Sequence, residues 1–298
     1  ITIWSMKSIL EVLRYFSIFN YAPTASEIRF YSEAKISEKA LQNKLNILIG
    51  KGKVARLVPS NEKSIKGRIN STNRYTLPGY TMNVKTQRSK VKNSSIKIQK
   101  IGRYVSLLKW FPQIQLVGLS GSVAMMNATK DDDIDLFIIS KQNRMWTARF
   151  LAVFFASLLN LRRNRSGKNT SNKVCLNMFL DERALKMPKF KQNFYIAHEV
   201  LQMKPIINKN NSYQKFLIAN RWVFKVFPNS RIILNDELRM MNDESRLKSK
   251  FPNTIGIIIE SMLKQLQLTL INRTKTTEIV TNKQLWFHPN DFEKKIDF

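Results

Sequence analysis

The 298-residue chain contains one cysteine, Cys175, and two histidines, His198 and His288. A single thiol excludes an internal disulfide framework and a cysteine-ligated zinc site, and it favours a reducing compartment, so a cytoplasmic location is expected. Long hydrophobic runs are also missing. The most apolar stretch, Phe150 to Leu159, falls short of the ~20 residues that span a bilayer. Nothing at the start reads as a secretory signal, and no membrane partner is expected. Internal repeats are absent. Acidic residues are scarce, with 21 Asp and Glu against 50 Lys and Arg, a formal net charge of +29. Such a balance points to a polyanionic partner. The excess is uneven: through Trp110 there are 21 Lys and Arg against 5 Asp and Glu. More than half of the net charge therefore sits in about a third of the chain, which a uniform compositional bias would not produce. Nucleic acid is the expected partner, with strongly salt-dependent contacts.

What is present begins with a core-forming fraction of 43% hydrophobic residues, over a length that accommodates two domains. Ile9, Leu13 and Phe16 recur at helical spacing. Thr24 followed by Glu27 fits a capping box, with Pro23 just outside. Ser37 is a plausible cap for a third helix that turns Leu41, Leu45 and Leu48 inward and Lys39, Asn43 and Asn46 outward before Gly50 and Gly52 end it. Val54 to Val58, a polar loop with Lys63, Lys66, Gly67 and Arg68, and Arg74 to Leu77 then predict a hairpin. Over residues 1–78 this order resembles winged-helix DNA-binding domains. The resemblance implies a helix at 37–49 for a major groove and a basic wing for the backbone, or the same scaffold used for protein contact. Residues 79–110 read as a basic linker leading into a helix, with eight Lys and Arg and no acid from Tyr80 to Trp110.

The chemistry-bearing stretch runs from Ile114 to Ile139. It predicts a buried strand to Leu119, a small-residue turn at Ser120 to Ser122, a short helix, an acidic loop and a second apolar strand. Alternation along that strand puts Asp133 and Asp135 on one face and Ile134 and Leu136 in the core. Two carboxylates side by side suit a hard divalent cation such as Mg²⁺, which takes one or two carboxylates together with substrate phosphates. Gly121 and Ser122 precede a helix, where free N–H groups attract phosphate; Gly121 permits close approach and the Ser122 hydroxyl can donate.

A Gly-Ser pair, a short helix and an Asp-x-Asp on the next strand, here Gly121, Ser122, Asp133 and Asp135, resemble the DNA polymerase beta superfamily of nucleotidyltransferases. From about Gln113 to Asp291 the chain also looks like a group of prokaryotic nucleotidyltransferase-domain proteins, through stretches such as Asn172 to Phe179 and Ala219 to Trp222. The resemblance implies an NTP substrate, Mg²⁺ held by Asp133 and Asp135 as catalytic residues, and Gly121 and Ser122 as nucleotide-binding residues. It also implies a third carboxylate on a later strand, where Asn177 stands instead. The third acid then comes from Asp181, Glu182 or Glu199, or two carboxylates suffice, or catalysis has been lost and nucleotide binding kept.

His198 beside Glu199 reads as a structural histidine rather than a reacting one, and His288 carries a weaker signal still. Arg144, Arg149 and Lys173 are minority candidates for reaching a triphosphate. Phe150 to Leu161 is expected to be a buried helix ending in the basic run Arg162 to Arg165, and residues 211–227 and 254–271 read as helices of ordinary core material. The expected fold is α+β: an N-terminal winged helix-turn-helix at 1–78, a nucleotidyltransferase core with a small mixed sheet at 111–207 and a helical region at 208–298. The expected function is transfer of a nucleoside monophosphate from an NTP to an acceptor hydroxyl, RNA or tRNA among the candidates. The alternative is a winged-helix DNA-binding regulator whose transferase-like domain senses nucleotide.

Overall fold

The computed structural model describes residues 2–57, 73–80, 84–163, 170–239, 254–273 and 278–287. The chain begins with helices α1 (Thr2–Ile18), α2 (Ala25–Phe30) and α3 (Glu38–Gly50), strands β1 (Ala55–Leu57) and β2 (Arg74–Thr76), and helix α4 (Val84–Lys100). It continues through α5 (Gly102–Lys109), β3 (Ile114–Leu119), α6 (Gly121–Ala124), β4 (Ile134–Ser140), α7 (Met145–Leu158), β5 (Val174–Asp181), α8 (Phe194–Gln202) and β6 (Lys204–Asn208). Helices α9 (Ser212–Ala219), α10 (Val223–Val226), α11 (Arg231–Arg239) and α12 (Thr254–Asn272) follow, then strands β7 (Ile279–Val280) and β8 (Gln284–Trp286). The fold is α+β, with a mixed six-stranded sheet and a separate two-stranded one. Two compact units form, one from residues 1–92 and 221–236, the other from 93–220 and 237–298.

In the first unit the local signals act as the sequence predicts. Glu27 N donates to Thr24 Oγ1 (3.2 Å) and Thr24 N to Glu27 Oε2 (2.7 Å), so each satisfies an orphan donor of the first turn of α2. Ala40 N donates to Ser37 Oγ at 3.2 Å, starting α3. Ile9, Leu13, Phe16, Leu41, Leu45 and Leu48 are all buried. Strands β1 and β2 pair antiparallel, with Ala55 opposite Thr76. The basic loop carrying Lys63, Lys66, Gly67 and Arg68 lies outside the described residues. Asn229, from the returning segment, gives the unit a bond no local pattern announces. Its Oδ1 accepts from Ile36 N (3.1 Å) and its Nδ2 donates to Ser32 O (3.2 Å) and Ala34 O (2.8 Å). Those contacts fix the turn between α2 and α3.

In the second unit the strand order is β6-β3-β4-β5-β8-β7. Strands β4 and β5 are parallel and every other pair is antiparallel. A parallel pair needs a crossover, and α7 supplies it. Ile134, Leu136 and Ile138 of β4 share a core with Trp146, Ala148 and Ala152 of α7. Phe137 turns to the opposite face and meets Phe216 of α9, ring centroids 5.0 Å apart. Asp133 and Asp135 belong to that second face by the period-two rule. Gly118 of β3 lies against Met203, whose side chain would have to shift to admit a Cβ, since that atom would stand 2.3 Å from Met203 Sδ.

Helix α7 buries Met145 and Trp146 at its start and then Ala148, Ala152 and Ala156, where small side chains let it lie close to the sheet; Phe150, Phe154 and Leu158 are exposed, so the helix expected to be buried is buried along one face. The reading of residues 254–271 as core material holds for Ile271, Leu263 and Leu268, which pack on the core, and is corrected for the rest of α12 by its contacts. Its polar residues face α7: Glu260 accepts from Trp146 N (2.8 Å), Thr147 N (2.9 Å) and Thr147 Oγ1 (2.6 Å), and Gln267 Nε2 donates to Trp146 O (2.9 Å). Ile255, Ile258, Met262, Leu266 and Leu270 are left exposed. A carboxylate at the first turn of α7 complements that helix's unsatisfied N–H groups, which explains why the polar side of α12 turns inward. Among the described residues α12 is the one helix long and apolar enough to cross a bilayer by length and composition.

Candidate functional site

Strand β3 ends at Leu119, and the chain turns at Ser120, whose N–H donates to Asp135 O at 3.0 Å. Gly121 follows with φ +60, and a Cβ placed on it would stand 2.5 Å from Asp135 Oδ2. Two independent constraints, a left-handed backbone and a carboxylate in the way, thus require glycine. The first turn of α6 leaves its N–H groups without intrahelical acceptors, and Ser120 does not cap them with its side chain. The Ser122 hydroxyl hydrogen-bonds the Asp132 carboxylate, so the turn and the acidic loop are tied together. Asp132 also accepts from Thr129 N (3.0 Å) and Thr129 Oγ1 (2.5 Å). Burial works against its charge, yet these bonds outweigh it and hold the carboxyl below its ordinary range.

The acidic loop is braced from behind by α4. Lys97 is buried, and its Nζ donates to Lys130 O (3.0 Å), Asp132 O (2.6 Å) and Asn172 Oδ1 (3.3 Å). Ser94 Oγ accepts from Ala128 N at 3.0 Å. The stretch read as a basic linker is therefore helix from Val84 onward, and one of its lysines is a structural clamp.

Asp133 and Asp135 come together as the alternation predicts, and Cys175 joins them. Ligand atoms of all three lie within 4.8 Å of one another. The thiol is brought there by register, since Cys175 pairs with Asp135 across the parallel β4–β5 ladder. Asn177 is the extra residue of a bulge, the pairing passing from Leu136–Leu176 to Phe137–Met178. The bulge aims its amide into the site: Nδ2 donates to Asp135 Oδ1, and Cys175 Sγ donates to Asn177 Oδ1 at 2.7 Å. Arg163 completes the cluster, with one guanidinium nitrogen 2.5 Å from Asp133 Oδ2 and 3.5 Å from Cys175 Sγ.

Burial, with Asp133 beside it, pushes the Asp135 carboxyl up to about 8; the Asn177 amide opposes the rise, Glu199 adds to it and Arg163 opposes it. Burial also pushes the Cys175 thiol up, helped by both carboxylates. Two acids and a thiol this close, with Arg163 paired to Asp133, form a site whose fully ionised state is short of positive charge.

The three candidates for a third acid separate cleanly. Asp181 stands at the far end of β5, where it accepts from Asn143 N (2.8 Å), Arg183 N (3.0 Å) and Arg183 Nε (2.8 Å). Glu182 accepts from Gln142 N at 2.8 Å. Both serve the turn after β4. Glu199, on α8, is the one whose charge bears on Asp135, and burial pushes its own carboxyl up to about 7.

The other candidates are engaged elsewhere. Arg144 donates to Asn143 O (3.0 Å) and Gly256 O (2.9 Å), Arg149 to Gln267 Oε1 (2.5 Å), and Lys173 to Asn160 O (2.6 Å). His198 is fully buried, edge-on to Phe194 at 4.8 Å, and burial holds it neutral. Asn220 accepts from Met187 N (2.8 Å) and donates to Leu185 O (2.8 Å), a structural bracket. Residues 164–169 and His288 lie outside the described residues. Sequence reasoning missed Arg163, Lys97 and the thiol; only the last left a signal, two residues before Asn177 on the same strand.

Comparison with protein-family models, curated proteins and solved structures finds no match, so the functional reading rests on these residues.

Proposed function

We propose that the second unit is a metal-dependent nucleotidyltransferase of the DNA polymerase beta type, which moves a nucleoside monophosphate from an NTP to an acceptor hydroxyl. The observation that carries this reading is the left-handed Gly121 turn pressed against Asp135, with Asp133 beside it on the same sheet face. A phosphate seat and a cation seat are thereby built against each other.

The residues fit a divalent cation. Two carboxylate oxygens converge, one on an acid whose ionisation is opposed until positive charge arrives, and the cradle at Gly121 is one that a single Cβ would fill. Asp133 and Asp135 would hold the ion, which would lower the pKa of an acceptor hydroxyl and neutralise charge on the transferring phosphoryl group. The first-turn amides of α6 would bind triphosphate oxygens, and the acidic loop clamped by Lys97 keeps Asp133 in place. Asn177 orients Asp135 but takes no proton, so Glu199 is the remaining carboxyl able to accept one in this neighbourhood.

The first unit supports a nucleic-acid acceptor. Its three helices followed by a β-hairpin follow the order of a winged helix, and the net charge is concentrated in that part of the chain. The test is incubation with each labelled NTP, a divalent cation and total cellular RNA, comparing wild type with Asp133→Asn and Asp135→Asn. Label in RNA from wild type alone supports the reading. NTP binding without label on any macromolecule favours the second reading, a nucleotide-sensing regulator, for which Asn177 at the third position is the specific argument.

A further inference from the structure

We infer that the cation site carries a third, softer donor, the Cys175 thiolate, and that it takes a thiophilic divalent cation such as Co²⁺ or Zn²⁺ in preference to Mg²⁺. The inference rests on the cation seat proposed above and names the class of ion it selects. It also revises the exclusion drawn from a single cysteine, since one thiol with two carboxylates is a mixed donor set that needs no second cysteine.

Three observations carry it. Cys175 is held opposite Asp135 by strand register, and its sulfur lies within 4.8 Å of carboxylate oxygens of both aspartates. Asn177 bridges the set, donating to Asp135 and accepting from the thiol at 2.7 Å, the outer-shell arrangement that orients ligands around an ion. Arg163 already places a cationic group in the space the donors share, touching Asp133 Oδ2 at 2.5 Å and Cys175 Sγ at 3.5 Å. That space accepts positive charge, and a cation entering it competes with the guanidinium. Sulfur selects against Mg²⁺ and Ca²⁺ and for Co²⁺, Zn²⁺ and Cd²⁺, whereas carboxylates alone discriminate in that direction much more weakly. On coordination the thiol loses its proton to solvent, a metal–sulfur bond replaces the S–H bond, and no redox change is involved.

The test is titration of the full chain with Co²⁺ alone, read by absorbance and by calorimetry, with Mg²⁺ as the comparison ion. Because the chain has a single cysteine, a sulfur-to-cobalt charge-transfer band reports Cys175 and nothing else. The expected result is such a band in wild type and its loss in Cys175→Ser, with the preference for Co²⁺ over Mg²⁺ narrowed on the order of tenfold. Arg163→Gln is expected to bind Co²⁺ on the order of tenfold more tightly with the band retained, because the competing cation is gone. Co²⁺ binding without the band, or with a band unchanged in Cys175→Ser, overturns the inference and leaves the transferase reading intact. Failure of every divalent cation to bind wild type and Arg163→Gln, with or without NTP, overturns both.

Discussion

The parallel strands β4 and β5 present acids at both ends, and the two ends are built in opposite ways. At one end Asp181 is buried and satisfied from several sides, by Asn143 N, Arg183 N and the Arg183 guanidinium. At the other, Asp133 and Asp135 stand beside each other and a thiol, with one arginine and one amide between them. The first arrangement fixes a turn; the second leaves its ionised acids with a deficit of positive charge. Polar groups are paired where a fold needs only to hold, and left in tension where it binds something.

The largest effect that would test this contrast is on chemistry. Asp135→Asn is expected to lower nucleotide transfer by roughly 10²–10³-fold, the scale of losing one well-placed charge at a reacting phosphoryl group, while the melting temperature stays level or rises because the neighbouring acids no longer repel. Asp181→Ala should do the reverse. Removing a buried acceptor of several hydrogen bonds is expected to cost about 2–3 kcal/mol of stability in denaturant unfolding, with cation affinity unchanged. A large loss of stability in Asp135→Asn, or of cation binding in Asp181→Ala, would erase the distinction between the ends.

Much of the site end was legible in the sequence because its pieces are local. Gly121, Ser122, Asp133 and Asp135 fall within fifteen residues of one strand–turn–helix–strand pattern, and period two alone puts the carboxylates on one face. The capping box at Thr24 and the inward leucines of α3 were legible for the same reason. What escaped depends on partners distant in sequence. Cys175 reaches Asp135 only through strand register, Lys97 finds its carbonyls 33 and 35 residues away, and Asn229 closes a turn more than 190 residues before it. Helix α12 misled for a different reason. Apolar spacing shows which residues share a face, but not whether that face meets the protein, and here Glu260 and Gln267 bind the opposite one.

The pH dependence of stability sharpens the comparison without any assay of activity. Asp135 at about 8 and Glu199 at about 7 both lie above the free-carboxyl values of 3.8 and 4.5. Between free and folded values the folded chain keeps protons that the unfolded chain has released. Stability is therefore highest near the free values and falls as pH rises toward 7 and 8, with a slope bounded by about 1.4 kcal/mol per pH unit for each group. This sign is opposite to that of a carboxylate stabilised by an ion pair. Denaturant midpoints measured from about pH 7 to about pH 8, above the range in which the buried neutral His198 adds stability as pH rises, should decline in the metal-free protein. A saturating divalent cation should flatten the decline, because it favours the ionised carboxyls of the folded state. A metal-free midpoint that rises across the same range would mean that the site end is no less satisfied than the other.

The smallest effect comes from one arm of a single chemical change made at each end, Glu to Gln. Glu182 is half-buried, and its carboxylate accepts from the backbone N–H of Gln142 at 2.8 Å; an amide oxygen can accept the same bond. Glu182→Gln is expected to shift stability by less than about 0.5 kcal/mol. Glu199 is held where burial opposes its charge, so a neutral amide of the same shape removes an unfavourable ionisation instead of a bond. Glu199→Gln should raise stability near pH 5 by less than about 1 kcal/mol and at pH 8 by roughly 3 kcal/mol. It should also lower the pH at which Asp135 ionises, since the Glu199 charge is one of the groups that raises it. Equal responses of the two variants across pH would place both acids on ordinary surface, and the deficit of positive charge at the site end would then belong to Asp133, Asp135 and Cys175 alone.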